Sequence, residues 1–163
     1  MLALVYYVAT YGLATLGAFG VLSAIEGESG DVTSEDVRGL AARSPGLAFC
    51  LLVFVLSLAG IPPLAGFFGK FYVFVAALQW APSSLGMIWL VALAIAMSAV
   101  SLYYYLQILK QAYVVKAEAI APAIRVSLPV LVTLWVAALL VIVLGCVPGL
   151  LLGPWTAALA AGW

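Results

Sequence analysis

A single lysine, Lys70, lies inside a long apolar stretch of this sequence and is the first residue whose setting suggests chemistry. The chain has six basic and six acidic side chains, and all of them except Lys70 fall within residues 26–43 or 110–125. A charge at the centre of a bilayer costs at least about 2.5 to 3.5 kcal/mol on insertion scales, so such residues usually face a bundle interior with a partner or water. Lys70 is therefore the candidate functional residue.

The segment before Lys70 carries the signs of a helix break. Pro62 and Pro63 remove two backbone donors and disfavour the helical conformation at Ile61, and Gly60 and Gly66 relax the backbone on either side. Broken helices at membrane depth occur where protein or water satisfies the freed polar groups, and they often mark the ion or substrate site of a transporter. A simple proline kink is the alternative that these residues leave open.

Proton transfer is the chemistry that a lysine in this setting can do. Lys70 lies about nine residues, or ~13 Å of helix rise, from the nearer end of its apolar run, so its ammonium does not easily reach the interface. A lysine whose charge is costly can load and release a proton, unlike a surface lysine with a pKa of about 10.4. We expect a proton relay here, against the alternative of an incidental buried lysine.

The sequence leaves the partner of Lys70 open. No acidic residue lies in the other apolar runs of the chain. The partner must then be water, a backbone carbonyl of residues 58–61, or a charge outside this chain.

Four apolar runs must position these residues. Each is near or above the ~20 residues that a helix needs to cross ~30 Å of hydrocarbon. With 67% hydrophobic residues, a mean hydropathy of +1.28 and no histidine, the composition argues against a soluble enzyme. The sequence predicts an all-α, polytopic membrane helical bundle in one membrane domain, residues 1–163, with four transmembrane spans at 1–25, 47–79, 87–109 and 126–147.

The second span is predicted to be discontinuous. As one straight helix, residues 47–79 would be about 50 Å long, which exceeds the hydrocarbon thickness without steep tilt, protrusion or a break. The glycines and prolines described above provide that break.

The remaining charges orient the chain. The connecting loops, residues 26–46 and 110–125, hold every lysine and arginine except Lys70. The positive-inside rule places both loops in the cytoplasm and both termini outside. The sequence has no basic patch for nucleic acid and no cluster of metal ligands within a span. We therefore expect a lipid bilayer as its surroundings, no nucleic-acid partner and no metal.

Three stretches resemble a known family. SLAGIPPLAGFFGKFYVF resembles the discontinuous-helix motif of the antiporter-like subunits of proton-translocating NADH:quinone oxidoreductase, respiratory complex I, and also the related subunits of multisubunit Na⁺/H⁺ antiporters. YGLATLGAFGV before it and SLYYYLQILK after it are most similar to the N-type subunit of the bacterial enzyme, the counterpart of mitochondrial subunit 2.

The resemblance implies roles for named residues. Lys70 corresponds to a proton-carrying lysine of the second half-channel, and the family's helix break corresponds to Gly60, Ile61, Pro62, Pro63 and Gly66. Ser98, Tyr103 and Tyr104 are candidates for lining a hydrated path, with aromatic packing as the alternative for the tyrosines. Family members are several times longer and contain two inverted repeats, of which this chain resembles the C-terminal part alone. We therefore expect it to be a fragment of a longer subunit.

The resemblance also implies a function and partners. The chain would contribute to proton translocation coupled to electron transfer, beside other membrane subunits of complex I, as a multi-pass protein of the bacterial inner membrane. It would hold no redox centre or cofactor, since NADH, FMN, iron–sulfur clusters and quinone would belong to partner subunits. The alternatives are a subunit of a multisubunit Na⁺/H⁺ antiporter and a non-conducting structural membrane fragment.

Overall fold

Long apolar helices make up the part of the chain that the structure describes. The computed structural model describes residues 2–26, 36–80, 84–115, 124, 126–150 and 153. Within these ranges there is no strand, which confirms the predicted all-α class. The helices are, in chain order, α1 (Leu2–Glu26), α2 (Leu40–Arg43), α3 (Pro45–Ala59), α4 (Ala65–Trp80), α5 (Leu85–Tyr113) and α6 (Leu128–Cys146).

Three of these helices, α1, α5 and α6, are long and apolar enough to cross a membrane, judged by length and composition in the described residues. The apolar run at 47–79 forms two shorter helices, α3 with 15 residues and α4 with 16. At 1.5 Å per residue each is about 22 to 24 Å long, less than the ~30 Å hydrocarbon core. Neither α3 nor α4 is therefore long enough to span a bilayer alone.

Local sequence signals set where several helices begin. Pro45 opens α3, where its missing N–H is not needed. Ser84 caps α5, and its hydroxyl accepts a hydrogen bond from the Met87 N–H at 3.4 Å. Gly39, with a left-handed φ of 62°, precedes α2 and donates its N–H to the Gln111 carbonyl at 3.1 Å. This last bond ties the short α2 to α5.

The helices α3 and α4 follow one another along α1. Beyond the middle of α1, Gly17 lies against the Phe54 ring of α3. Near the start of α1, the Tyr6 ring meets the Tyr72 ring of α4 edge to face, with centroids 5.7 Å apart. The earlier helix, α3, thus contacts the later part of α1, and the later helix, α4, contacts the earlier part. The two helices therefore follow one another along α1 and run antiparallel to it.

The last helix, α6, runs in the same direction as α3 and α4. In the first half of α6, Trp135 stacks on Phe49 of α3 with ring centroids 5.2 Å apart. Near its end, Gly145 lies against the backbone of residues 63–65, between α3 and α4. The end of α6 therefore packs directly on the segment that separates α3 from α4.

The helix α5 runs antiparallel to α3 and α4. Ile108, near its end, shares a cavity with Leu51 of α3, and Ser98, in its middle, shares a cavity with Lys70 of α4. Successive passes, α1, then α3 with α4, then α5, then α6, alternate in direction. We call the end of the bundle where α1 ends and α6 begins the loop end.

The core is centred on α3. Leu47, Leu51 and Phe54 of this helix are at most 1% exposed, and Val21 of α1 and Val141 of α6 are fully buried beside them. By contrast, α5 leaves most of its residues exposed or partly exposed. Since lipid is as apolar as these side chains, close packing holds such helices together in a membrane more than hydrophobic burial does.

A buried tyrosine ties α1 to the end of α6. The Tyr6 side chain is 1% exposed, and its hydroxyl donates a hydrogen bond to the Leu144 carbonyl at 2.7 Å. In a continuing helix this carbonyl would accept from the residue four positions on, which is Pro148 and has no N–H. Tyr6 therefore supplies the donor that the helix end lacks.

Replacing Gly145 with alanine should destabilise the fold. A Cβ at this position would overlap the backbone of Pro63, Leu64 and Ala65. We expect the free energy of unfolding to fall by about 1–3 kcal/mol, measured by thermal or denaturant unfolding in detergent micelles. Gly12→Ala is the matched control, because nothing lies within 4 Å of its Cβ position. A G145A protein as stable as G12A would contradict this packing.

Candidate functional site

The Lys70 side chain reaches back from α4 to the last turn of α3. It is partly buried, and its Nζ donates hydrogen bonds to the carbonyl oxygens of Leu58 at 3.0 Å and Ala59 at 3.3 Å. The sequence left open water, backbone carbonyls or an outside charge as the partner of this lysine. The structure brings the backbone carbonyls to it, and a hydrogen bond from a charged donor is stronger than a neutral one.

The two prolines explain why these carbonyls are available. In an α-helix the carbonyl of residue i accepts from the N–H of residue i+4. For Leu58 and Ala59 those residues are Pro62 and Pro63, which have no N–H. An unpaired carbonyl in the bilayer core costs several kcal/mol. Lys70 supplies the missing donor, and its charge lies at the negative end of the α3 dipole.

Gly60 ends α3 and makes room for the lysine. Its φ is 84°, and its N–H donates to the Ser57 carbonyl at 3.0 Å, while the Ile61 N–H donates to the Leu56 carbonyl at 3.1 Å. This pair of bonds is the Schellman pattern of a helix C-terminus. A Cβ at Gly60 would lie 3.2 Å from Cδ and 3.4 Å from Nζ of Lys70. Glycine thus gives both the left-handed turn and the space.

The start of α4 lies against the last turn of α3. The Gly66 N–H donates to Oγ of Ser57 at 3.1 Å, and a Cβ at Gly66 would overlap the Ser57 carbonyl. Since α3 ends at Ala59 and α4 begins at Ala65, the residues expected at the break lie between these helices or in the first turn of α4. They are Gly60, Ile61, Pro62, Pro63 and Gly66.

A cavity of about 320 Å³ opens beside Lys70, between α1, α4 and α5. Of the nine described residues that line it, five carry hydroxyl groups, and these five come from α1 and α5. A cavity of this size has room for several water molecules, and Lys70 and the hydroxyl-bearing residues offer them polar partners. The hydroxyl-bearing lining residues are Tyr7, Tyr11, Ser98, Ser101 and Tyr105, and the apolar ones are Leu58, Ala94 and Met97.

The structure brings Ser98 to this cavity but not Tyr103 and Tyr104. These two tyrosines are 61% and 64% exposed and do not line the cavity, whereas the third of the run, Tyr105, does. Helical spacing explains the difference, because Tyr105 lies seven positions after Ser98 and shares its helix face. That spacing is a sequence signal that would have selected Tyr105.

Two further tyrosines that sequence reasoning missed come from α1. Tyr7 and Tyr11 are four residues apart on one helix face, and their rings stack with centroids 5.6 Å apart. Both line the Lys70 cavity. Their helical spacing was readable, but nothing in the sequence showed that this face of α1 meets α4 and α5.

A second, larger cavity adjoins the first on the side of the loop end. It has a volume of about 460 Å³, is predominantly apolar, and shares Tyr11, Leu58 and Tyr105 with the Lys70 cavity. The polar surroundings of Lys70 therefore give way to an apolar groove toward the loop end. Within the described ranges, no group of three or more His, Cys, Asp or Glu residues is placed to hold a metal ion.

Comparison with known proteins relates this site to one family. The sequence profile of the family described as "NADH:quinone oxidoreductase/Mrp antiporter, TM" matches residues 1–101, which include the break, Lys70 and Ser98. NADH-quinone oxidoreductase subunit N 2 of Acidobacterium capsulatum is 57% identical over 153 residues, which cover 92% of this chain and 30% of that protein. The subunit N 2 of Herpetosiphon aurantiacus is 43% identical over 152 residues, covering 93% of this chain and 27% of that protein.

A solved structure agrees with these sequence relatives. Respiratory complex I from Thermus thermophilus with bound aureothin contains a chain that superposes with a TM-score of 0.77 and 36% sequence identity. The superposition covers 93% of this chain and 34% of that one. The chain thus spans about a third or less of the length of the proteins that it matches, in their C-terminal portion.

Replacing Gly60 with alanine should strain the break. A left-handed conformation costs a residue with a Cβ about 1–2 kcal/mol, and the new Cβ would press on the Lys70 stem. We expect the free energy of unfolding to fall by about 1–3 kcal/mol in detergent micelles. Gly86→Ala is the control, since the atom nearest its Cβ position is 3.8 Å away. Equal unfolding midpoints for G60A and G86A would refute this interpretation of the turn.

Proposed function

The chain belongs to the NADH:quinone oxidoreductase/Mrp antiporter family, and we propose that it carries part of a proton path in the membrane arm of a bacterial NADH:quinone oxidoreductase. In this proposal Lys70 is the proton relay. The observation that carries the proposal is that Nζ donates to two backbone carbonyls, while Lys70 also lines a cavity with the five hydroxyl-bearing residues described above. The relatives named above as subunit N support the assignment to this enzyme.

The proposed relay needs two protonation states of Lys70. As an ammonium, Nζ donates to the Leu58 and Ala59 carbonyls. It then passes one proton to a water or hydroxyl in the cavity and becomes a neutral amine, and a proton arriving from the other side restores the ammonium. The hydroxyls of Ser98 and Tyr105 can both donate and accept, so they suit a chain of hydrogen-bonded waters.

We propose that α3 and α4 together form one discontinuous transmembrane span. With α1, α5 and α6 this gives four crossings, and the alternating helix directions support it. The basic residues Arg38, Arg43 and Lys110 belong to segments at the loop end. The positive-inside rule then places the loop end in the cytoplasm, with Leu2 and Cys146 toward the outer face of the bacterial inner membrane.

The rest of the machinery lies outside this chain in our proposal. Because the chain spans about 30% of its relative's length, it supplies one segment of the path, and neighbouring membrane subunits of the complex supply others. NADH, FMN, iron–sulfur clusters and quinone are assigned to those partners. Coupling reaches Lys70 as a change in nearby charge or hydration that shifts the balance between its two protonation states.

A second candidate function is a subunit of a Na⁺/H⁺ antiporter, which the family description also covers. The same lysine would then exchange protons in a complex without NADH oxidation. Relatives named as NADH-quinone oxidoreductase subunits favour the first function. Transport that depends on Na⁺ and not on NADH would favour the second.

Replacing Lys70 with methionine should stop proton translocation. The change keeps an unbranched side chain that is only one heavy atom shorter, and it removes the proton-carrying amine. In membrane vesicles with the assembled complex, we expect the protons moved per NADH oxidised to fall by about tenfold or more, given that a positioned acid–base group contributes at least about 100-fold. A fluorescent ΔpH probe during NADH oxidation measures this.

The control variant is Lys110→Met, which removes an exposed lysine from the last turn of α5. K110M should translocate protons like the unmodified complex. If the K70M complex assembled normally and also translocated protons at the unmodified rate, the relay would be wrong and a structural role would remain for this segment.

A further inference from the structure

We propose that Ser57 is a positioning residue for Lys70. Its hydroxyl joins the start of α4 to the end of α3 and thereby sets where the Lys70 amine meets the Leu58 and Ala59 carbonyls. The inference deepens the proposed proton path and rests on it for its functional readout. Its structural readout, the position of Nζ, does not depend on that path.

The first observation is that Ser57 replaces a missing helix cap. The first N–H groups of a helix have no partner within the helix, and a polar side chain just before the helix usually satisfies one of them. The residue before α4 is Leu64, which has no polar side-chain atom. Instead, the Gly66 N–H in the first turn donates to Oγ of Ser57, 3.1 Å away on α3.

The second observation is burial. Ser57 is 0% exposed, one of two polar residues buried in the described part of the chain. A buried hydroxyl without a partner is costly, and replacing it leaves the opposing donor unpaired. Losing the Ser57 hydroxyl would therefore leave the Gly66 N–H without its side-chain acceptor on the buried face of α3.

The third observation is that the Ser57–Gly66 pair lies close to both the acceptor carbonyls on α3 and the donor Lys70 on α4. Along α3, Ser57 directly precedes the two acceptors, Leu58 and Ala59. Along α4, Gly66 lies four residues before Lys70 and shares its helix face. We therefore expect a shift of α4 at Gly66 to move Nζ. Its distances of 3.0 and 3.3 Å to the two carbonyl oxygens reach the upper end of the usual range for a hydrogen bond, so a small displacement breaks at least one of them.

The close approach at Gly66 supports the same assignment. A Cβ at Gly66 would overlap the Ser57 carbonyl, so the two backbones are already as close as a glycine allows. The hydroxyl of Ser57 fits between them because serine is small. Alanine at position 57 would leave the space of the oxygen empty and the Gly66 N–H without its acceptor.

The test uses Ser57→Ala in the complete subunit within its native complex. We expect normal assembly and NADH oxidation, but roughly tenfold fewer protons moved per NADH, since a misplacement of about 1 Å costs up to 100-fold. A cryo-EM map of the S57A complex should show Nζ beyond hydrogen-bond distance of at least one of the two carbonyls. The matched control is Thr133→Ala, which removes an exposed hydroxyl bonded to its own helix in α6. It should change neither the number of protons moved per NADH nor the position of Nζ.

Two further variants separate positioning from general structure. Ser57→Thr keeps the hydroxyl, and where this complex assembles it should recover most of the translocation. Adding S57A to K70M should cause no further loss, because Ser57 acts through Lys70. A further loss in the double variant would overturn the inference, since it would show a route of action that bypasses the lysine.

The outcomes distinguish this inference from the proposed function. If K70M loses translocation while S57A keeps it, with Nζ still on both carbonyls, Ser57 is not a positioning residue and the relay stands. If K70M keeps translocation, the relay fails, and the position of Nζ in the S57A map alone decides the role of Ser57.

Discussion

Two backbone carbonyls without helical donors are the constraint from which the rest of this site follows. Pro62 and Pro63 cannot donate to Leu58 and Ala59, and in an apolar surrounding those carbonyls need another partner. The chain meets the need by ending α3 at Gly60 and returning Lys70 from α4 to donate to both. The helix break and the lysine are therefore two parts of one interaction.

The proposed relay requires Lys70 to lose its proton, and neutral hydrogen-bond partners suit that step. If a buried carboxylate held the ammonium, deprotonation would leave an uncompensated buried charge, which is strongly unfavourable. Carbonyl groups stabilise the ammonium through dipoles and hydrogen bonds. In the proposed relay, the adjacent cavity, whose lining includes hydroxyl-bearing residues, takes up the proton. Carbonyl partners are therefore compatible with both protonation states of Lys70, because the neutral amine leaves no unpaired carboxylate behind in the membrane.

The hydropathy of the sequence and the backbone chemistry of glycine and proline predict the positions of the helices and the end of α3. The apolar runs correspond to α1, to α3 with α4, to α5 and to α6, and the Gly60–Pro62–Pro63 cluster marked where the helix stops. Counting four residues back from each proline also identifies the carbonyls of Leu58 and Ala59 as the ones without a helical donor, although the sequence left the partner of Lys70 open. Such features are local, so one sequence suffices to predict them.

The remaining features depend on which helix faces meet, which local sequence does not specify. The spacing from Ser98 favours Tyr105 over Tyr103 and Tyr104 only once Ser98 is known to face the cavity, and that depends on how α5 packs against α1 and α4. Likewise, Ser57 reads as an ordinary serine in an apolar helix until Gly66 is seen beside it. Tertiary contact, and not residue type, gives these side chains their roles.

The most direct test of the account is a cryo-EM map of the intact complex in lipid, at a resolution that shows ordered water. We predict a helix interrupted at residues 60–64, Nζ of Lys70 near 3.0 and 3.3 Å from the Leu58 and Ala59 carbonyls, and ordered waters linking Nζ to Ser98 and Tyr105. A continuous helix through residues 60–64, or an Nζ directed at lipid beside a dry cavity, would contradict it.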